Sequence, residues 1–142
     1  MGEGILEAGI VATFLVGICV IIHYEALRRL AGMALVPGRH RWLVLASVFG
    51  ALLAHVLEIW FFGGAYWLAV EHINLGQILP APRDAFDYIY FSAMVYTTVG
   101  FGDLVPEGPI RMIASAEALM GLALITWSAS FSYLQMQRIW RD

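Results

Sequence analysis

The sequence predicts an all-α membrane protein with three transmembrane helices and a shorter helix that enters the bilayer without crossing it. Three observations carry this expectation. Of 142 residues, 61% are hydrophobic and only 13% are charged, whereas an average soluble domain is about a quarter charged. The mean hydropathy is +0.75. The charges also leave three long apolar stretches between them, each near the roughly 20 residues that a helix needs to cross the hydrocarbon. A net charge of −3 is too small to point to nucleic acid as a partner, and the length suits a single domain. The one cysteine, Cys19, lies in an apolar run. No disulfide can form within the chain, and a buried, inert thiol accounts for it.

The first span, at about residues 4–30, contains 17 uncharged residues between Glu7 and Glu25. No positive charge precedes it and no cleavable pattern follows, so it reads as a retained helix and not a signal peptide. The second runs over 42–70, interrupted only by the charge of Glu58. At 1.5 Å per residue it is roughly 43 Å long, more than the bilayer core requires, so it must tilt or project. The third covers about 109–137, and Ala118 to Gln137 carry no charge. Between the second and third lies a short apolar stretch at 85–97, too short to cross and suited to a re-entrant helix. Pro80 and Pro82 precede it. Asp84 is placed to cap it, with Asp87 in its first turn, where acids favour the positive end of the helix dipole.

Orientation follows from arginine. Arg28, Arg29, Arg39 and Arg41 follow the first span, and Arg138 and Arg141 follow the third. The positive-inside rule then puts the N-terminus outside and the C-terminus in the cytoplasm. The short helix dips in from outside.

Directly after the short helix comes Thr97-Thr98-Val99-Gly100-Phe101-Gly102-Asp103. The six residues from Thr98 onward would arise by composition in a chain this long with odds on the order of 1 in 10⁵. Here the sequence resembles the potassium-channel pore family, whose selectivity-filter signature is T-T-V-G-Y/F-G-D. Outer helix, re-entrant helix, filter and inner helix follow in the same order. The resemblance covers roughly residues 42–137 and leaves the first helix, with its following loop (1–41), outside. It divides 42–142 into outer helix 42–70, pore helix 85–97, filter 98–103 and inner helix 109–137.

The resemblance implies a small potassium channel that passes K⁺ down its gradient, not an enzyme, with K⁺ as the permeant ion and no organic cofactor. Its ligands would be the backbone carbonyls of Thr98, Val99, Gly100 and Phe101, with the Thr98 hydroxyl. A bare cation in lipid is prohibitively costly, so oxygen rings must replace its water. Gly100 and Gly102 supply the backbone angles an ordinary residue resists, and Val99 and Phe101 turn their side chains outward. One chain supplies one filter strand. Irregular backbone at membrane depth must be buried in protein or line water, so a homotetramer in lipid is implied, in a plasma membrane of bacterial type.

Three departures from the family pattern stand out. Phe101 lacks the hydroxyl of the frequent Tyr. Tyr90 and Phe91 stand where some members carry two Trp, and Met94 where some carry an acid. Tyr90 can still donate to Asp103, or Asp103 can simply face water. Gly121 lies about where the family has a hinge glycine, and close packing would explain it as well. Leu122, Ile125, Ala129 and Tyr133 follow helical spacing and are cavity-lining candidates.

His55 and Glu58 share a helical face, and an acid within a span is a functional-site candidate by default. Three readings stay open: a proton sensor that gates the pore, a metal site with only two ligands in sequence, and a buried hydrogen-bonded pair meeting Glu117 or a serine of the third span. His23 and Glu25 are expected to reach the inner interface, and Glu71 and Glu107 to line the outer surface. No span carries Arg at every third position, so no voltage-sensing helix is expected. The chain ends soon after the third span, so no ligand-binding domain is expected there. The rival functions are a weakly selective cation channel, a non-conducting subunit of another channel, and a membrane enzyme using His55 and Glu58. The last lacks the three-ligand cluster of a catalytic metal.

Overall fold

A computed structural model describes residues 2–33 and 40–141. Arg39, one of the residues used for orientation, lies outside them. The elements in chain order are α1 (Gly2–Met33), α2 (His40–Glu71), β1 (Gln77–Leu79), α3 (Ala85–Tyr96), β2 (Val105–Glu107) and α4 (Ile110–Arg141). The three long helices have 32 residues each, about 48 Å at 1.5 Å per residue. All three are long and apolar enough to cross a membrane.

Each long helix buries one stripe. On α1 it is Ala8, Ala12, Leu15, Cys19, His23, Leu27 and Leu30; on α2 it is Ser47, Ala51, Ala54, Glu58, Phe62, Tyr66 and Ala69. Steps of three and four keep these residues on one face. Small residues in both stripes let the backbones approach, the usual device where lipid supplies no hydrophobic contrast. The opposite faces carry exposed Leu6, Ile10, Phe14, Leu53, Leu57 and Trp60, as apolar as the lipid they would meet.

α1 packs on α2 and α4, and α3 fits between α2 and α4. Gly4 lies beside Pro109, just before α4, while Leu27, Leu30, Ala51 and Phe131 cluster toward the other end. The three long helices therefore alternate in direction. The core beneath α3 joins Phe62, Tyr66, Phe91, Tyr96, Ile110 and Ile113, all buried.

The observed helices run slightly beyond their expected ends. α4 continues four residues past 137, because Arg138 and Arg141 are charged yet good helix formers. α3 stops at Tyr96, and Thr97 is its C-cap. The sequence did not predict β1 and β2, an antiparallel pair in the register Gln77↔Glu107, Ile78↔Pro106, Leu79↔Val105. Three residues are too few to show alternation, and a proline normally argues against a strand. In a two-stranded ribbon both strands are edges, so the missing N–H of Pro106 can face away from its partner.

Candidate functional site

α3 begins where its sequence says it should. The Asp84 carboxylate accepts from the backbone N–H of Phe86 at 2.8 Å and of Asp87 at 3.2 Å. Asp87 in turn accepts from the N–H of Arg83 at 2.7 Å. This reciprocal arrangement satisfies donors that a helix start leaves open. At the other end, the N–H of Thr98 donates to Val95 O at 3.0 Å and that of Gly100 to Met94 O at 3.2 Å. The loop is thus anchored to the last turn of α3.

Thr98, Gly100 and Gly102 have φ of +60°, +50° and +81°, whereas the intervening Val99 and Phe101 are not left-handed. Alternating handedness turns successive peptide groups toward one side. The sequence accounts for the two glycines. It did not reveal Thr98, a β-branched residue in a region such residues avoid. A conformation of this kind costs on the order of 1–3 kcal/mol and concentrates at functional sites.

Every residue from Thr97 to Asp103 is exposed on the single chain. Phe101 is 71% exposed and Val99 52%. At the outer end of the loop, Tyr90 donates to Asp103 Oδ2 at 2.8 Å. That bond to a carboxylate holds the Tyr90 phenol above its usual range. Nearby, Tyr88 donates to Glu71 at 2.6 Å, and burial, then the bond to Glu71, pushes its phenol up. Gln77 donates to Glu107 at 3.1 Å. Glu71 and Glu107, expected at the outer surface, are thus each tied to a side chain of the loop region.

Two buried polar groups lie behind the loop. Glu117 of α4, fully buried, accepts from Tyr66 of α2 and from Ser92 of α3, the latter at 2.5 Å. Ser92 Oγ also lies 2.8 Å from Ile59 O. The second group is larger. His23 Nδ1 meets Glu58 Oε1 at 3.0 Å, and His23 Nε2 meets Ser128 Oγ at 3.0 Å. Ser128 Oγ also meets His55 Nε2 at 3.1 Å, and His55 Nδ1 meets the Tyr96 hydroxyl at 2.7 Å. Tyr96 closes the ring by donating to Glu58 Oε2.

A family model described as "Ion channel" matches residues 41–136. The chain belongs to the ion channel family. No curated protein and no solved structure matches it.

As a channel with three long apolar helices, it is a multi-pass membrane protein that conducts ions passively. The match spans α2 to α4, with the loop between, and leaves α1 outside. The candidate loop residues Thr98 to Asp103 form one continuous strip after α3. Tyr90 reaches that strip directly. Gly121 lies on an unbroken α4, where a methyl would stand 2.2 Å from the Tyr96 carbonyl oxygen. Close packing, one of the two readings of this glycine, therefore has a specific contact behind it. Leu122, Ile125 and Tyr133 of the candidate cavity stripe are exposed on the single chain at 54%, 37% and 60%.

His55 and Glu58 do share a face, with His55 Nδ1 3.5 Å from Glu58 Oε2. Ser128, a serine of the third span, meets His55 of this pair, whereas Glu117 pairs with Tyr66 and Ser92. His23 corrects an expectation. It is fully buried and bound to Glu58, not at the inner interface, because the α1 stripe carries it onto α2. The two-ligand count is corrected with it, since donor atoms of His23, His55 and Glu58 all lie within 4.8 Å of one another. Glu25 stays at the surface beside Arg28 and Arg29. The sequence reading passed over Ser128, Tyr96, Ser92 and Tyr66 as individuals. The signal was available, since each is a polar group inside an apolar helix and must find a partner.

Proposed function

We propose that this chain is a potassium-selective channel subunit that assembles as a homotetramer. Its filter is Thr98 to Asp103. K⁺ is held by the carbonyls of Thr98, Val99, Gly100 and Phe101 and by the Thr98 hydroxyl. The observation that carries the reading is the coincidence of sequence and backbone. The T-V-G-F-G-D run leaves the C-terminus of a short capped helix, with left-handed residues at 98, 100 and 102.

The exposure of this strip supports assembly. Irregular backbone with no cover of its own cannot face lipid; it must meet protein or line water. Four copies about one axis satisfy both demands, with strips facing an aqueous path and neighbours covering Val99 and Phe101. Oxygen rings then replace the hydration shell of the ion. α3 points its partly negative C-terminal end toward the inner side of the loop, which favours a cation there. The arginine distribution supports an outside N-terminus and a cytoplasmic C-terminus in a bacterial inner membrane.

The test is ion flux in liposomes holding purified protein, with K⁺ inside and Na⁺ outside. Uptake of a reporter driven by K⁺ efflux, abolished by Gly100→Asp, is the expected result. Equal flux for Na⁺ would favour a weakly selective channel. Phe101 gives that second reading its specific basis, since it lacks a hydroxyl and is 71% exposed on the single chain. Absence of a fourfold assembly in the purified protein would favour a subunit that needs another channel's chains.

A further inference from the structure

We propose that the ring of His23, Glu58, Tyr96, His55 and Ser128 is a binding site for one proton, and that this proton fastens all four helices together at the base of the pore loop. The gating consequence rests on the channel reading above; the proton site itself does not.

The argument is a count of hydrogens. The ring has five contacts, and each needs one hydrogen between its two heavy atoms. Tyr96 and Ser128 bring one each, and each of the two neutral imidazoles brings one. With Glu58 as a carboxylate the ring therefore holds four hydrogens for five contacts, and one contact sets lone pair against lone pair. A fifth hydrogen completes it. His23 then donates to Glu58 and Ser128, Ser128 donates to His55, His55 to Tyr96 and Tyr96 to Glu58. Reversing the Ser128 hydroxyl gives a second complete arrangement, with the added proton on His55. Ser128 is thus a relay between two imidazoles whose ring centroids lie 4.9 Å apart.

Charge favours the same occupancy. The four-hydrogen ring carries one net negative charge, and the five-hydrogen ring pairs an imidazolium with a carboxylate and is neutral. His23 and Glu58 are fully buried, where an uncompensated charge is costly. Among the described residues, the other titratable groups near the ring are the Cys19 thiol of α1 and Glu117 of α4. Neither supplies a positive charge, and Glu117 is engaged by Tyr66 and Ser92. The Trp127 ring lies beside His23, with ring centroids 5.7 Å apart.

The ring also borders a groove. The His55 side chain is 11% exposed. With Tyr96 and Ser128 it lines a groove of about 600 Å³ between α2 and α4 that reaches Thr97. The ring draws His23 from α1, His55 and Glu58 from α2, Tyr96 from α3 and Ser128 from α4. Tyr96 stands two residues before Thr98, and its carbonyl abuts Gly121. Loss of the proton breaks one of five ties and loosens the base of the loop against α4. A metal ion fits this geometry less well. Tetrahedral zinc needs its ligand atoms about 3.4 Å apart, and every nitrogen here already has a hydrogen-bond partner.

The experiment is a histidine ¹⁵N NMR titration of the full chain in lipid nanodiscs from about pH 5 to about pH 9, the range in which imidazole ordinarily changes charge. The expected result is that the His23 and His55 signals move together, with one midpoint and one proton shared between them. Glu58→Gln supplies the fifth hydrogen without charge, so both imidazoles should stay neutral throughout. Ser128→Ala leaves three contacts for three hydrogens and should abolish shared uptake. Two independent single-proton titrations would overturn the proposal, as would a shared titration that persists in Glu58→Gln. One-to-one zinc binding that displaces the histidine N–H signals would overturn it in favour of a metal site. In liposomes, flux should follow the same midpoint, with a slope of at most about tenfold per pH unit for each ring in the assembly, and Glu58→Gln should be flat. Flux that ignores pH while the NMR titration stands would overturn the gating half alone.

Discussion

Tyr90, on α3, and Asp103, in the loop that follows it, are 13 residues apart and joined by a 2.8 Å hydrogen bond. The bond fixes the far end of a strip whose near end is fixed by the last turn of α3. Tyr90→Phe removes the donor and keeps the ring. Conduction should then decay faster during sustained opening, measured as the time course of current after activation. Identical decay in mutant and wild type would dismiss the brace.

The pH response of this brace has a definite sign. Asp103 raises the Tyr90 phenol above its ordinary value, so the bond contributes fully below the usual phenol range near 10. It is lost only as pH climbs through the raised value. Decay in the wild type should therefore be flat between about pH 6 and about pH 9. Acceleration within that interval would place its cause elsewhere.

Thr98 separates strain from chemistry. Thr98→Gly relieves a left-handed β-branched residue and should raise the temperature at which the assembly dissociates, by an amount worth about 1 kcal/mol or more per chain. It also deletes the hydroxyl, so K⁺ preference over Na⁺ should fall. Thr98→Ser keeps the hydroxyl and should keep the preference. Bi-ionic reversal potentials measure this, and equal preferences in the two mutants would remove the hydroxyl from the ligand set.

Gly121→Ala should be damaging out of proportion to one methyl. The added carbon would stand 2.2 Å from the Tyr96 carbonyl oxygen, and two backbones must separate to admit it. Overpacking of this kind costs about 1–3 kcal/mol, readable as a lower melting temperature in detergent. Gly17→Ala, where nothing lies within 4 Å, should change little. A null result at Gly121 would mean that α4 yields there easily.

Glu117 should tolerate Gln but not Ala. A glutamine carbonyl can accept from Tyr66 while its amide donates to Ser92, leaving the Ser92 hydroxyl free to donate to Ile59 O. Alanine strands the buried Tyr66 hydroxyl, at about 1–3 kcal/mol, while Ser92 can still donate to Ile59 O. Assembly yield and thermal midpoint distinguish the two, and equal loss would show that Glu117 acts through its charge.

The hydropathy of the chain made its three long helices legible, because length and apolarity alone define a crossing. Asp84 and Asp87 marked the start of the pore helix through capping, which is local chemistry. The loop was readable from its motif. Its third left-handed residue was not, because threonine gives no sign of positive φ. His23 was misplaced for another reason. The partner that holds it, Glu58, lies 35 residues away, and helix pairing is a long-range choice that periodicity cannot rank. The short strands were invisible, since six residues and a proline carry no period.

Those strands nevertheless decide how the pore insertion is attached. Gln77 and Glu107 pair across its base, so the chain leaves and rejoins the scaffold at nearly one point. Whatever lies between them is a cassette with its two ends already stitched. Within it, however, α3 is bound to both neighbours, through Ser92 on Ile59 of α2 and Glu117 of α4 and through Tyr96 on Glu58 of α2. The insertion is thus stitched at its base and riveted along its length, so a shift of either scaffold helix is felt at the loop.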